Sequence, residues 1–226
     1  MQIPVLDRGF IRVVECVGGD EAVVRSARVS FGQETKGEEK DRKLIRYLLT
    51  HGHETPFEHA VFQFHVKCPL FVARQWLRHR WSSFNEISGR YTVFDDEEYY
   101  VPDRIRVQEN VNKQGSEVAD VPEEEHRAFG ERIRAETERA IAGYRGLLEE
   151  GIAKELARIV LPLNMYTQFY WTVNARSLMN FLKLRCDAHA QYEIRQYADR
   201  LRDLFREKMP WTAEVFDTLR PPPKFE

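Results

Sequence analysis

Short apolar runs separated by polar turns mark the first third of the chain. Residues 10–17 (FIRVVECV) are mostly β-branched or aromatic and are followed by the turn residues 18–20 (GGD), so this pattern predicts a β-strand. Apolar residues recur at helical spacing over 38–51, and Gly52 stands where a helix commonly ends. Apolar and polar positions then alternate over 60–68, which is typical of a strand with one buried face. A strand, a helix and a second strand are therefore predicted in this order.

In the rest of the chain, the spacing of apolar residues predicts mainly helices. Helical spacing and helix-ending residues predict further helices over 69–80, 122–151, 152–160, 175–184 and 190–208. The aromatic run 165–173 predicts another strand, and the polar stretch 102–122 predicts an exposed loop to which we assign no chemistry. The proline-rich residues 221–226 are predicted to be a tail. Since one hydrophobic core serves roughly 100 to 250 residues, we expect residues 1–220 to form a single α+β domain, a small, mainly antiparallel sheet packed with several long helices.

Composition and charge narrow the class of protein. The chain has 34 basic and 36 acidic residues and a net charge of −2, so no overall field attracts it to nucleic acid or to an anionic membrane. Its three cysteines are widely spaced and include no CxxC pair, which is typical of a reducing compartment. Asp7 and Arg8 interrupt the stretch where a signal peptide is apolar, and no run approaches the roughly 18 apolar residues of a membrane span. We therefore expect a cytoplasmic protein with neither a nucleic-acid nor a membrane partner.

The segment 78–91 (RHRWSSFNEISGRY) concentrates polar chemistry. It holds three arginines and a histidine together with Ser83, Asn85 and Glu86, and it has no lysine. Arginine binds phosphates through two parallel hydrogen bonds and stacks on flat rings, which suits a nucleotide or flavin site. The Ser-Gly-Arg turn at 88–90 adds a hydroxyl group, and its glycine lets a phosphate approach the backbone N–H groups closely. The alternative, from the residues alone, is a solvated basic helix end with ordinary surface ion pairs.

The same segment resembles the RHR-x7-S signature of the flavin-dependent thymidylate synthases. Further blocks are similar to this family in the same order: ARVSF (27–31), HGHETPFEH (51–59), ARQW (73–76), ARIVLP (157–162) and VNARSLMNFLKLR (173–185). The stretch 101–122 departs from the family pattern. The resemblance implies an oligomerising fold, a homotetramer whose active sites are shared between subunits. It also implies reductive methylation of dUMP to dTMP, with 5,10-methylenetetrahydrofolate as the carbon donor, FAD as the cofactor and NADPH as the reductant.

The resemblance also assigns roles to individual residues. FAD is expected to be bound by Ser30, Thr55, Arg78, His79, Arg80, Glu86, Asn174, Ala175, Arg176, Asn180 and His189. dUMP is expected to be bound by Gln75, Trp76, Leu77, Arg78, Glu86, Ile87, Ser88, Gly89, Arg90, Arg158 and Arg185. The block 174–180 is expected to reach the flavin from another subunit, and His53 to lie near the flavin and the folate.

Arg185 matches the arginine that activates the substrate in this family. The C5 atom of uracil is a poor nucleophile, and a guanidinium group beside N3 and O2 stabilises the negative charge that develops when the ring attacks. The flavin carries the redox chemistry while the protein orients the reactants, so the resemblance implies no protein nucleophile. We therefore interpret Cys186 as a core residue and Ser88 as a phosphate ligand rather than a nucleophile.

Three alternative interpretations concern other kinds of site. A zinc set is suggested by His51, His53, Glu54, Glu58 and His59. The turn at 52–56 scatters these side chains, so no metal is predicted. A non-catalytic module that grips single-stranded RNA would stack bases on Trp76, Trp81, Phe84 and Tyr91, but the balanced charge argues against it. Another FAD- and folate-dependent uracil methyltransferase would share the cofactors and differ in its substrate.

Overall fold

One antiparallel sheet with helices packed against it carries the fold. The computed structural model describes residues 2–32, 35–109 and 115–219. The strands are β1 Gln2–Val5, β2 Gly9–Val17, β3 Val61–Pro69, β4 Ser82–Glu86, β5 Arg106–Gln108, β6 Ser116–Val118 and β7 Tyr166–Asn174. The α-helices are α1 Asp20–Arg28, α2 Glu38–Thr50, α3 Leu70–Trp76, α4 Glu123–Glu149, α5 Lys154–Ala157, α6 Ala175–Arg185, α7 Tyr192–Lys208 and α8 Pro210–Leu219. Five strands form the sheet in the order β1-β2-β3-β7-β4, and β5 pairs with β6 in a separate two-stranded ribbon.

Strand β3 shows how the alternating pattern positions the sheet over the core. The side chains of Phe62 and Phe64 are fully buried, while Gln63 and His65 between them lie half-buried on the opposite face. β3 pairs antiparallel with β2 on one side and with β7 on the other. Its buried residues therefore belong to the main hydrophobic cluster. The α+β class and the small antiparallel sheet predicted from the sequence are confirmed.

Aromatic rings fill the space between the sheet and three helices. Trp76 on α3 contacts Trp171 on β7, with ring centroids 5.2 Å apart. It also contacts Phe181 on α6 at 4.9 Å and Tyr197 on α7 at 5.8 Å. Such ring pairs contribute roughly 0.5 to 1.5 kcal/mol beyond the burial of their area. The cluster fixes the end of α3 against α6, and these two helices carry much of the candidate site described below.

The helix predicted over 69–80 ends earlier than expected. α3 stops at Trp76, and the chain turns there, since the His79 N–H donates to the Trp76 carbonyl at 3.0 Å. Ser82 Oγ fixes the turn by donating to the His79 carbonyl at 2.7 Å. Trp76 is the last fully buried side chain of the helical pattern, and His79 packs its ring on Phe181 of α6 from the turn, with centroids 4.7 Å apart. Arg78, His79 and Arg80 consequently lie on a turn that leads into β4.

Two other predictions are corrected in part. The helix predicted over 152–160 is reduced to α5 and a 3₁₀ turn at Arg158–Val160, because its apolar side chains face away from the core. The loop predicted over 102–122 contains the ribbon of β5 and β6, whereas its residues 110–114 lie outside the described ranges. The tail predicted at 221–226 also lies outside them. Within the described ranges, none of the helices combines the length and the apolar content that a membrane crossing requires.

Helix α8, which the sequence patterns did not predict, is fastened to α1. The buried Asp20 carboxylate accepts hydrogen bonds from the N–H of Trp211 at 2.8 Å and from the N–H of Thr212 at 3.0 Å. It therefore serves as the N-cap of α8 from a distant part of the chain. Further along the same helix, Asp217 accepts from Arg202 of α7 at 2.5 Å. These contacts hold α8 at the side of the candidate site.

Candidate functional site

A cleft of about 980 Å³ opens beside the turn that follows α3. Its walls come from the end of α2, this turn, the end of β7, the exposed face of α6 and the last residues of α8. Eight of the residues expected to bind ligands line it together: Gln75, Arg78, His79, Arg80, Asn174, Arg176, Asn180 and Arg185. The fold thus brings together residues that are about a hundred positions apart in the sequence.

The junction of β7 and α6 forms one wall of the cleft. Asn174 ends β7 and caps α6, because its side-chain oxygen accepts from the Ser177 N–H at 2.9 Å. Arg176 and Asn180 follow at helical spacing and therefore share a face of α6. The resemblance to the family implies that the block 174–180 acts from another subunit. In this structure it lines the same cleft of one chain as Arg78.

Arg185 is held in a fixed orientation at the end of α6. Its Nε donates to His79 Nε2 at 3.0 Å, and its Nη2 donates to the Gln75 carbonyl oxygen at 3.2 Å. Burial and the Arg185 charge lower the pKa of His79 to about 4. The imidazole is therefore neutral at pH 7, with Nε2 accepting and the proton on Nδ1. Burial and the neighbouring Arg78 lower the pKa of Arg185 itself.

The charges of the cleft are unequally compensated. Five cationic side chains line it: Arg78, Arg80, Arg176, Lys183 and Arg185. The two carboxylates in the same lining, Glu54 and Glu58, both pair with Arg176, at 2.9 and 2.5 Å. In the described part of the chain, no carboxylate forms an ion pair with Arg185, whose partners are a neutral ring and a carbonyl group. The cleft therefore presents excess positive charge to an anionic ligand.

Four residues of the suggested zinc set, His51, His53, Glu54 and Glu58, lie around the end of α2 and contact other side chains. Glu54 and Glu58 bind Arg176 as described. The His51 ring stacks on Tyr47 with centroids 4.1 Å apart, and its Nδ1 lies 2.9 Å from the Tyr47 carbonyl oxygen. His53 meets the Tyr47 ring edge-on at 5.7 Å. His53 directly precedes a residue of the cleft lining, Glu54.

A second group of expected ligands lies on the far side of β4, outside the lining of the cleft. Arg90 donates its backbone N–H to Ser88 Oγ at 3.3 Å and its Nε to Glu155 at 3.1 Å. A Cβ atom on Gly89 would lie 2.5 Å from the Phe94 ring and 3.1 Å from the Arg158 side chain. Glycine is therefore needed for Arg158 to pack against this turn. At about 3.3 Å per residue, β4 separates this group from the cleft by roughly 13 Å.

Several expected ligands have side chains that face other parts of the structure. Trp76 and Ala175 are fully buried in the core, so their side chains are not exposed to a ligand. Glu86 accepts from Thr167 at 2.6 Å, and His189 Nδ1 lies 2.9 Å from Asp187. The remaining expected ligands, Ser30, Thr55, Leu77 and Ile87, are also outside the lining of the cleft.

Lys183, Phe216 and Leu219 line the cleft, although neither the sequence pattern nor the resemblance assigned them to a site. The sequence does indicate that Lys183 lies beside Arg176 and Asn180, because residues 176, 180 and 183 recur at the spacing of one helix face. Phe216 and Leu219 belong to α8, so nothing pointed to them without that helix.

The surroundings of Cys186 and of the aromatic rings bear on two alternatives, a cysteine nucleophile and an RNA-binding module. Burial, together with Asp199, raises the pKa of Cys186 to about 12, so it packs as a protonated core residue, as interpreted. Of the four rings assigned to the RNA module, Trp76 is fully buried and Phe84 packs edge-on against Phe169 at 5.8 Å. Trp76 therefore has no face for a base to stack on.

Comparisons with known proteins agree with the resemblance. The family model described as thymidylate synthase complementing protein matches residues 12–211. A flavin-dependent thymidylate synthase of Thermosipho africanus is 55% identical over 216 residues, covering 96% of this chain and 94% of the relative. Another, from Thermus thermophilus, is 51% identical and covers 96% of this chain and 78% of the relative. The solved structure of a UMP/dUMP methylase, PolB from Streptomyces cacaoi bound with 5-Br dUMP, has a TM-score of 0.86 at 34% identity, covering 96% of this chain and 97% of that chain.

The matched range contains the cleft residues from Gln75 to Arg185 and the turn at 88–90. It leaves out the last part of α8, which supplies Phe216 and Leu219 to the cleft. With this coverage and these identities, the chain belongs to the family of flavin-dependent thymidylate synthases.

Proposed function

We propose that this protein methylates dUMP to dTMP, taking the carbon from 5,10-methylenetetrahydrofolate and the electrons from NADPH through bound FAD, in the cytoplasm. Membership of the family supports the reaction, and the cationic cleft supports anionic ligands. The donor carries a methylene group, which is two electrons more oxidised than a methyl group. A hydride equivalent is therefore required, and the products are dTMP, tetrahydrofolate and NADP⁺.

The state of Arg185 is the observation that carries the proposal. Its guanidinium group is half-buried, lies beside the cation Arg78 and is oriented by neutral groups alone. A positive charge that no carboxylate compensates is well suited to negative charge that develops on a ligand. We propose that Arg185 faces the N3 and O2 edge of uracil and stabilises the ring as its C5 attacks the carbon donor.

The cleft fits a flavin dinucleotide by volume and by donor chemistry. Ligand cavities usually measure about 300 to 1,000 Å³, so 980 Å³ is at the upper end of that range. The guanidinium groups of Arg78 and Arg80 suit the pyrophosphate, and the side-chain amides of Asn174 and Asn180 suit the polar edge of the ring system. FAD, when bound, supplies the two-electron chemistry that connects NADPH to the substrate carbon.

We propose that the phosphate of dUMP binds the turn formed by Ser88, Gly89 and Arg90, together with Arg158. Backbone N–H groups and two guanidinium groups are suitable donors for a phosphate. Because this turn lies outside the lining of the cleft, we propose that each active site joins the cleft of one subunit to the turn of another, within a homotetramer.

Exposed apolar side chains beside this turn support the shared site. The apolar surface, as we define it, comprises Tyr91, Leu156, Ile159, Val160 and Leu163. Leu156 is 57% exposed and Ile159 is 73% exposed. Contiguous exposed apolar residues of this kind usually mark a surface that another protein covers. Covering it with a second copy would bring a cleft to the turn without any rearrangement within one chain.

A second candidate function is methylation of the ribonucleotide UMP. The solved structure of PolB from Streptomyces cacaoi bound with 5-Br UMP is also similar to this chain, with a TM-score of 0.86 and 35% identity. The two substrates differ only by the 2′-hydroxyl group, so both belong in the assay.

The decisive experiment is anaerobic incubation of the FAD-loaded protein with dUMP, methylenetetrahydrofolate and NADPH, followed by chromatography for dTMP. We expect dTMP to form and to depend on each of the three reactants. Parallel reactions with UMP test the second candidate. A flavin-loaded protein that oxidises NADPH and forms no dTMP would refute the proposed reaction.

A further inference from the structure

A buried carboxylate outside the cleft is connected to it through two amide side chains. Glu193 on α7 is 2% exposed. Its Oε1 accepts from Arg106 of β5 and from the Tyr100 hydroxyl group at 3.3 Å. Its Oε2 accepts from Gln191 Nε2 at 2.9 Å. Gln191 Oε1 in turn accepts from Gln75 Nε2, and Gln75 lines the cleft.

The direction of each hydrogen bond in the series Glu193–Gln191–Gln75 follows from the chemistry of Glu193. An ionised carboxylate can only accept, whereas a side-chain amide has one accepting oxygen and one donating nitrogen. Because Glu193 accepts, Gln191 must direct its side-chain nitrogen toward Glu193. The side-chain oxygen of Gln191 then accepts from Gln75. Gln75 must then direct its own nitrogen toward Gln191. The Gln75 oxygen is consequently the end that is free to accept from a ligand.

The first member of the chain is held in its accepting form by its surroundings. Arg106 forms an ion pair with Glu193, and both side chains are largely buried. Burial and the Glu193 charge raise the pKa of Tyr100, so its hydroxyl group remains a donor to the same carboxylate. A buried carboxylate with a cation and two further donors is a stable anchor for the two amides.

We propose that Glu193 and Gln191 are positioning residues that orient the Gln75 amide so that its oxygen accepts a hydrogen bond from a donor group of the bound nucleotide. This inference rests on the proposed function, because it takes Gln75 as a dUMP contact. The proposal gives the ribbon of β5 and β6 a role in substrate affinity, because Arg106 of β5 donates to Glu193. The energetic value is that of one neutral hydrogen bond, which changes affinity roughly three- to tenfold.

The test compares substrate affinity with turnover in FAD-loaded variants. Gln191→Ala removes the middle amide at an exposed position. Glu193→Gln keeps an oxygen for the donors Arg106 and Tyr100 but presents a donating nitrogen to Gln191, which reverses the direction of both amides. We expect each variant to raise the dUMP Kd and KM roughly three- to tenfold with kcat at saturation unchanged. Gln75→Ala should have a similar effect. In the double variant Gln75→Ala with Gln191→Ala, the second change should add nothing, because both act through one contact.

Tyr100→Phe is the matched control. It removes one donor to Glu193 while the direction of every remaining hydrogen bond is kept, so the dUMP affinity should stay within about twofold of wild type. If these hydrogen bonds only stabilised the fold, the variants would have a lower Tm and an unchanged dUMP KM.

Three results would overturn the inference. If Gln75→Ala weakens dUMP binding while Gln191→Ala does not, the nucleotide contact stands and the positioning role is wrong. Additive losses in the double variant would also exclude a shared contact. An unchanged dUMP affinity in Gln75→Ala would remove the contact itself. Failure of the proposed function is distinguishable from all of these, because wild-type protein would then form no dTMP. Should Glu193→Gln not fold, Gln191→Ala carries the test alone.

Discussion

Lys183 and Arg185 show how the surroundings of a side chain decide its role. Both are cations on α6, and both line the cleft. The Arg185 guanidinium group is oriented by His79 and by the Gln75 carbonyl group, whereas Lys183 lies on the exposed face of the helix. A fixed, half-buried charge stabilises a transition state better than a mobile, solvated one, because little reorganisation accompanies the reaction.

We expect Arg185→Ala to retain FAD and to bind dUMP, but to lower kcat by about a hundredfold to a thousandfold. A charge that is used mainly in the transition state affects turnover more than affinity. The measurements are the ratio of flavin to protein absorbance, the dUMP Kd and the rate of dTMP formation. Lys183→Ala removes a cation from the same cleft and serves as the control, with a much smaller effect on kcat. Wild-type turnover by Arg185→Ala at saturating dUMP would contradict the assigned role.

The thiols give a second prediction for single residues. Burial raises the pKa of Cys186 to about 12 and that of Cys68 well above its usual value, and burial also raises that of Cys16. All three are therefore protonated at neutral pH. We expect the triple variant Cys16→Ser, Cys68→Ala and Cys186→Ala to form dTMP, with a loss of stability of about 1 kcal/mol for each buried thiol.

The pH dependence of turnover separates a thiol mechanism from the proposed one. If the Cys186 thiolate were the nucleophile, the rate would rise about tenfold per pH unit from neutral pH toward the raised pKa. We expect no such rise in wild type. A folded, flavin-loaded triple variant that binds dUMP and forms no dTMP would show that one of the thiols is required.

The resemblance to the family identified eight of the residues that line the cleft. Residue types and their spacing could not identify the chain from Glu193 to Gln75, because its members come from α3, α7 and the ribbon of β5 and β6. A buried carboxylate is also indistinguishable from a solvated one in a charged helix sequence such as that of α7. Only the packing shows that this one anchors two amides.

Among the elements, the turn after β4 depends on a residue without a side chain. A Cβ atom on Gly89 would come within 2.5 Å of the Phe94 ring and 3.1 Å of Arg158. We expect Gly89→Ala to displace this ring or the arginine, to cost about 1 to 3 kcal/mol of stability, and to weaken dUMP binding. Chemical denaturation and dUMP titration measure the two effects.

Gly143→Ala is the control for this substitution. Its Cβ atom would meet nothing within 4 Å, and Gly143 lies inside the long helix α4. Replacing an exposed glycine in a helix by alanine stabilises it by roughly 0.5 to 1 kcal/mol, so the expected effects on stability have opposite signs. Unaltered dUMP affinity in Gly89→Ala would argue against a phosphate site at this turn.

Elements with a clear period were predicted well, and those defined by tertiary contacts were not. β3 and α6 follow their patterns closely because one face of each is buried. α3 ends early at the turn that Ser82 fixes on His79, and this end leaves no periodic signal in the sequence. The buried residues of α8 do recur at helical spacing after Pro210, while Asp20 from the start of α1 holds the helix in place.

For the whole molecule, the separation of the cleft from the turn at 88–90 leads to a prediction about mixed oligomers. We expect Arg185→Ala to inactivate the cleft and Arg158→Ala to weaken the turn. If each site joins a cleft and a turn from two chains, random exchange of equal amounts of these variants leaves about a quarter of the sites intact. We expect dTMP formation to recover toward that level after mixing. Exchange is verified independently with fluorescently labelled chains, and no recovery after verified exchange would place each site within one subunit.

The fastening of α8 to Asp20 also has a consequence for biosynthesis. α8 is translated after the seven other helices and the entire sheet, yet Phe216 and Leu219 complete a wall of the cleft. A nascent chain that has not yet formed α8 therefore still lacks part of the cleft that we propose as the flavin site. We expect cofactor loading to follow the docking of α8, which Asp20 caps only after the intervening 190 residues have been synthesised.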